Sequence, residues 1–218
     1  MTLYDCTTAT GRRAGVAAAV DAVRAGRLTV LPTDTVYGIG ADAFDPAAVR
    51  ALLEAKGRGR NMPPPVLVGG PDRLAEIVTR LPPAATALAE EFWPGGLTMI
   101  VRHAPGLSWD IGDTDGTVGV RMPADPVALE VLRATGPLAV SSANRHGVPP
   151  AETAADAVDQ FGDLVAAYLE TGRCPGGVPS TVVDLVGDRP RVLRTGAVPP
   201  DRLRAVLPGL DWSPSAAG

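Results

Sequence analysis

At 218 residues the chain is long enough for one large domain, and 45% hydrophobic with 20% charged residues excludes wholesale disorder. A formal net charge of −4, with no stripe of clustered Lys and Arg, argues against a dedicated nucleic-acid binder and leaves any RNA contact local. Aromatic residues make up 4%, so the core must be built mainly from Ala, Val and Leu.

In chain order, residues 14–25 carry Val16, Val20 and Val23 on one face and read as a helix stopped by Gly26. Leu28 to Leu31 is a short apolar strand ending at Pro32. Asp45-Pro46 is an N-cap followed by proline at the first helical position, opening a helix to about Ala55. Gly57 and Gly59 interrupt, and Pro63-Pro64-Pro65 lead into a strand at Val66 to Val68. Helices are predicted from Pro71 to about Thr79 and from Pro82-Pro83 to about Phe92. Strands follow at Leu97 to Val101 and Thr117 to Arg121, then a helix at Asp125-Pro126 and a strand at Leu138 to Val140. A helix near 153–160, a strand near 165–169, strands at Thr181 to Val186 and 190–194, and a helix from about Pro200 complete the series. Interleaved helices and strands predict an α/β fold: a single domain over 1–208, an open sheet with helices packed around it, and a polar tail at 209–218. The start of the chain lacks a basic run followed by an apolar one, and no stretch approaches the roughly 18 apolar residues that span a bilayer. The expectation is a cytoplasmic protein with no membrane partner.

The 20 basic residues comprise 19 arginines and one lysine, Lys56. Ammonium and guanidinium are chemically unlike, so a lysine retained in such a background is a candidate for a role that needs lysine. It opens the run Lys56-Gly57-Arg58-Gly59-Arg60-Asn61, where cations on a glycine-punctuated loop suit an anion or, more simply, decorate a helix C-terminus. Thr33-Asp34-Thr35 follows the first apolar strand and could hold a small polar substrate or cap a turn. Ser141-Ser142-Ala143-Asn144 follows another strand and offers neutral donors and acceptors, or forms an ordinary Asx or Ser turn. Gly176-Gly177-Val178-Pro179-Ser180-Thr181, Arg121 and Arg194 add further polar groups at breaks, where loops of open sheets converge on ligands. No Walker loop and no Gly-x-Ser-x-Gly elbow is present. His103 and His146 share no motif with Asp or Cys, and Cys6 and Cys174 lack metal-ligand spacing.

Seven motifs in order resemble the YrdC family, the threonylcarbamoyl-AMP synthases: Thr33-Asp34-Thr35-Val36-Tyr37-Gly38, Lys56-Gly57-Arg58, Trp93-Pro94-Gly95-Gly96-Leu97-Thr98, Val118-Gly119-Val120-Arg121, Ser142-Ala143-Asn144, Pro179-Ser180-Thr181-Val182-Val183-Asp184 and Arg194-Thr195-Gly196. The resemblance runs from about residue 14 to 206. It implies a twisted, mixed sheet with a concave ligand-binding surface. It also implies a nucleotidyltransferase that condenses L-threonine, bicarbonate and ATP into threonylcarbamoyl-AMP and pyrophosphate. That product feeds threonylcarbamoyl modification of the adenosine beside the anticodon of certain tRNAs. Carried onto this sequence, the family tetrad falls on Lys56, Arg58, Ser142 and Asn144 as catalytic residues. The threonine site falls on Thr35, Arg121 and Ser180, and the ATP site on Arg58, Thr117, Ser142, Asn144 and Arg194. Within it, Arg121 is expected on the threonine carboxylate, with Lys56 and Arg58 on carbamate and phosphate charge. Mg²⁺ is expected to arrive with ATP, with no tightly bound cofactor and no metal held by the protein. Implied partners are a weak contact with tRNA and downstream threonylcarbamoyl-transferase proteins. Pro63-Pro64-Pro65 and Arg145-His146 depart from the family pattern beside the expected ATP pocket, and the chain length matches the short form of the family. Two rivals stand beside this reading, a related domain acting in other carbamoyl transfer and an RNA-binding ribosome-maturation factor.

Overall fold

The computed structural model describes residues 1–211 of the chain. Ten strands alternate with seven α-helices. The strands are β1 (Thr2–Asp5), β2 (Leu28–Leu31), β3 (Gly38–Asp42), β4 (Val66–Leu67), β5 (Leu97–Arg102), β6 (Thr117–Arg121), β7 (Leu138–Ser142), β8 (Val165–Glu170), β9 (Thr181–Asp184) and β10 (Arg191–Arg194). The helices are α1 (Ala9–Arg24), α2 (Pro46–Lys56), α3 (Pro71–Ala75), α4 (Pro83–Phe92), α5 (Pro126–Thr135), α6 (Ala154–Phe161) and α7 (Pro200–Val206).

The strands form one open sheet in the order β1-β8-β2-β3-β7-β4-β6-β5-β9-β10. It is mixed, as expected: β8 pairs parallel with β1 and β2, whereas β3 pairs antiparallel with β2 and β7. Successive residues of a strand point to opposite faces, and here both faces are buried. Val30, Val66, Ala139 and Tyr168 enter one apolar cluster, while their neighbours Leu31, Leu67, Val140 and Leu169 enter the other. The second cluster is closed by Ala19 and Val23 of α1 and by Val127, Val131 and Leu132 of α5. Leu52 of α2, Leu88 of α4, Phe161 of α6 and Leu203 of α7 pack into the first.

Local chemistry explains most boundaries. Asp45 Oδ1 accepts from the amides of Ala47 and Ala48, and Asp125 Oδ1 does the same for Val127 and Ala128, each ahead of a proline at the first helical position. Thr153 and Asp156 form a reciprocal capping box at the start of α6. Helix α1 begins at Ala9, earlier than predicted, because the Thr8 hydroxyl accepts the Gly11 amide. Helix α3 stops at Ala75, short of the predicted Thr79, with Ile77 and Val78 turned into the core.

Two strands were not predicted. β1 is an exposed edge strand with little apolar pattern. β3 reads Gly-Ile-Gly-Ala-Asp, and glycine is depleted from strands. The reason for glycine here is contact: a Cβ at Gly38 would lie 2.6 Å from Val140 Cγ1 on the paired strand β7. No described helix is long and apolar enough to cross a membrane. At the other end of the chain Leu210 is buried and the Asp211 amide donates to Pro190 O at 2.9 Å, so the chain stays against β10 as far as residue 211. The remainder of the expected tail, 212–218, lies outside the described residues.

Candidate active site

A cleft of about 620 Å³ opens on the α1–α5 face of the sheet, floored by Leu67 and Val140 and walled by polar groups. A second cleft of about 740 Å³ adjoins it and shares Arg58, Pro65, Thr98 and Arg194 with it. The lining includes residues inside strands as well as loop residues, so the site lies across the sheet and not only beyond its strand ends.

At one end of the first cleft Arg121, the last residue of β6, is fixed by three donated hydrogen bonds. Nε donates to Gly95 O at 3.0 Å, Nη1 to Thr35 Oγ1 at 2.9 Å and Nη2 to Asp34 Oδ1 at 2.8 Å. The same Asp34 oxygen also accepts from the Ala124 amide at 2.8 Å. Thr33 orders the loop by donating to Val36 O and accepting from the Thr35 amide. Burial pulls the Arg121 pKa down, and Asp34 pushes against that shift. A guanidinium has five N–H groups, so two remain for a ligand, held in a fixed fork suited to a carboxylate.

Arg194, at the end of β10, reaches Ser180: Nε and Nη2 donate to Ser180 O, and Nη2 also to Ser180 Oγ at 3.1 Å. Ser180 Oγ in turn is hydrogen-bonded to Thr98 Oγ1 of β5 at 2.8 Å. Arg194 lies at the rim with much of its side chain open to solvent. Its head group is nevertheless desolvated, which lowers its pKa, and the charges of Arg121 and Arg58 lower it further. Arg58 is half-buried between the two clefts, and burial lowers its pKa as well. Its Nη1 donates to Ser141 Oγ at 3.1 Å, while its buried Nε has no hydrogen-bond partner. No described carboxylate pairs with Arg58 or Arg194. Three cations thus meet one carboxylate, Asp34, leaving two guanidinium charges uncompensated. Half-burying the Arg58 charge without an anionic partner is costly, and Arg194 stands beside it at the rim, so this arrangement is built to receive anions.

The remaining expected residues sit differently. Lys56 ends α2, where Gly57 adopts the left-handed conformation at φ 67° and turns the chain so that Arg58 can enter the cleft. The Lys56 side chain is 1% exposed and lines neither cleft. Its Nζ donates to Ser142 O, Asn144 O and, at 3.1 Å, Asn144 Oδ1. Burial, followed by the Arg58 charge, pulls its pKa down to about 7. Asn144 also lies behind the wall, whereas Ser142 lines the first cleft. Thr117 lines the second, with its hydroxyl donated to Thr114 O at 2.7 Å.

The sequence profile of the Sua5/YciO/YrdC family, described as telomere recombination, matches residues 21–196. The chain belongs to the Sua5/YciO/YrdC family. A Mycobacterium tuberculosis member of the family, named provisionally as a threonylcarbamoyl-AMP synthase, is 53% identical over 208 residues, 95% of each chain. The threonylcarbamoyl-AMP synthase of Pyrococcus abyssi is 34% identical over 197 residues, covering 90% of this chain and 58% of that protein. The structure of P. abyssi Sua5 complexed with L-threonine superposes with a TM-score of 0.87 at 30% identity, over 97% of this chain and 62% of the other. This chain therefore spans about three-fifths of the longer P. abyssi member of the family.

Of the residues carried over from the Sua5/YciO/YrdC family, Thr35, Arg58, Arg121, Ser142, Ser180 and Arg194 line the first cleft. Arg58, Thr117 and Arg194 line the second. Asp34 and Ser141 lie in clusters the sequence offered as candidate sites and Thr98 in one of the family motifs, but none was assigned a role, although each supports a residue that was. A carboxylate inside the Thr33-Asp34-Thr35 cluster was the available signal for Asp34, but its partner is 87 positions away.

Proposed function

We propose that this chain is a threonylcarbamoyl-AMP synthase, making threonylcarbamoyl-AMP and pyrophosphate from L-threonine, bicarbonate and ATP. The observation that carries the reading is the pair of adjoining clefts with two uncompensated guanidinium charges at and beside their junction. Threonine is assigned to the first cleft, with its carboxylate on Arg121 and its small polar groups near Thr35 and Ser180. ATP is assigned to the second, with its α-phosphate toward Arg58 and Arg194. Aliphatic walls at Ile100, Ile111, Val118 and Val182 suit the flat base.

The amine of threonine takes up the carbon dioxide of bicarbonate, loses a proton and becomes a carbamate, with release of water. A carbamate oxygen then attacks the α-phosphorus. The new O–P bond forms as the bond from that phosphorus to the bridging oxygen breaks, and pyrophosphate leaves. Two anions must approach each other, so the protein's contribution is positioning and charge neutralisation. Mg²⁺ belongs to the ATP substrate in this reading. The described residues lining the clefts include no carboxylate, so they serve the phosphate oxygens the metal leaves free.

The product would pass to threonylcarbamoyl-transfer proteins that modify tRNA, in the cytoplasm, with at most a weak tRNA contact by this chain. The test is pyrophosphate release from MgATP and bicarbonate with and without threonine. Release that requires both threonine and bicarbonate is expected. Threonine-independent release, or carbamoyl phosphate turnover without threonine, would point to another carbamoyl transfer instead.

A further inference from the structure

The Ser142-to-Asn144 turn is held from behind the cleft wall by groups that exhaust one another's hydrogen-bonding capacity. An ammonium has three N–H donors, and the three acceptors of Lys56 Nζ are Ser142 O, Asn144 O and Asn144 Oδ1. The Asn144 amide cannot flip: its Nδ2 donates to Arg145 O at 3.0 Å and to Val148 O at 2.7 Å. Its Oδ1 therefore faces Ser142, whose hydroxyl donates to it at 2.5 Å. Having spent its proton on Asn144, Ser142 Oγ offers the cleft only lone pairs.

We propose that Lys56 and Asn144 are positioning residues that touch no substrate, and that they lock Ser142 as a hydrogen-bond acceptor in the cleft wall. An acceptor there suits an N–H or O–H of the substrates, such as the carbamate N–H or a ribose hydroxyl, and repels a phosphate oxygen. Phosphate oxygens fall instead to Arg58 and Arg194, which line both clefts. The inference rests on the synthase reading for the identity of the substrates but not for the role of Lys56.

Because Lys56 is the only lysine, an amine reagent reports on it and the amino terminus alone. The native full chain is treated with acetic anhydride at pH 8, with and without MgATP, and mapped by peptide mass spectrometry. The expected result is acetylation of the amino terminus, no acetylation of Lys56 in either condition, and reaction of Lys56 only in urea. Acetic anhydride acylates exposed amines at this pH, so silence at Lys56 beside a labelled amino terminus reports burial. Acetylation of native Lys56 that MgATP suppresses would overturn the proposal, since it would place the amine in the nucleotide site.

A double-mutant cycle of Lys56→Met and Ser142→Ala gives a second reading, with thermal denaturation to check folding. Ser142→Ala should lower kcat/KM about tenfold in the parent, a typical loss for one hydrogen bond, and less than about twofold in the Lys56→Met background. Full additivity would contradict action through Ser142. If Lys56→Met does not fold, the acetylation result decides alone. A parent without threonine-dependent turnover would sink the synthase reading and leave the acetylation result standing.

Discussion

A buried cation needs a partner, and Asp34 is the partner of Arg121. The pair is more than a stabilising contact, because the two bonds to Asp34 Oδ1, from Arg121 and from the Ala124 amide, fix where the guanidinium fork points. Breaking one side of a buried pair costs about 2–5 kcal/mol. Asp34→Asn is expected to raise the KM for threonine by about tenfold or more, to change the KM for ATP less than about threefold, and to be partly rescued by Asp34→Glu. Equal effects on the two KM values would contradict this assignment. The arginines of the site were legible in the sequence, Arg121 and Arg194 because an Arg closing an apolar strand beside a Gly or Pro break stands out, and Arg58 because it sits in a glycine-punctuated basic run. Their supports were not. Asp34, Ser141 and Thr98 are ordinary residues whose importance comes from partners 83–87 positions away for two of them, and 82 for the third. Lys56 stood out by its rarity, yet rarity says nothing about which way a side chain points. Its three oxygen partners are visible only once α2 and the end of β7 are brought together.

Among the elements, helices announced by an Asp-Pro pair were read to within a residue at their starts, since cap chemistry is local. β1 and β3 were missed because neither strand announces itself. β1 is held as an edge by pairing with β8, more than 160 residues on, and β3 is glycine-rich for the sake of Val140. That second contact is testable. Gly38→Ala places a Cβ 2.6 Å from Val140 Cγ1 and is expected to destabilise the protein by about 1–3 kcal/mol, as overpacking does. Adding Val140→Ala should recover most of the loss by thermal denaturation. Failure of that rescue would show that the tight β3–β7 approach is not what glycine serves.

At the scale of the molecule, the sheet brings residues from both halves of the chain to one place. β7 sits beside β3 and β4, and β5 beside β9, so Thr35, Arg58, Arg121, Ser142, Ser180 and Arg194 converge. The interleaving of helices and strands made an α/β sheet legible, but strand order depends on long-range pairing that composition does not encode. Charge also divides by scale. The whole chain carries −4, which disfavours non-specific nucleic-acid binding, while the clefts gather three guanidinium groups against one carboxylate. A local anion site on an acidic protein fits small anionic substrates better than an RNA backbone. The central claim is that these clefts join threonine, bicarbonate carbon and the adenylate of ATP. It is tested most directly by incubating the protein with MgATP, threonine and ¹³C-bicarbonate and analysing the products by mass spectrometry. The expected product is threonylcarbamoyl-AMP carrying one ¹³C in its carbamoyl group, formed with an equal amount of pyrophosphate; AMP or ADP appearing without any labelled adduct would contradict the claim.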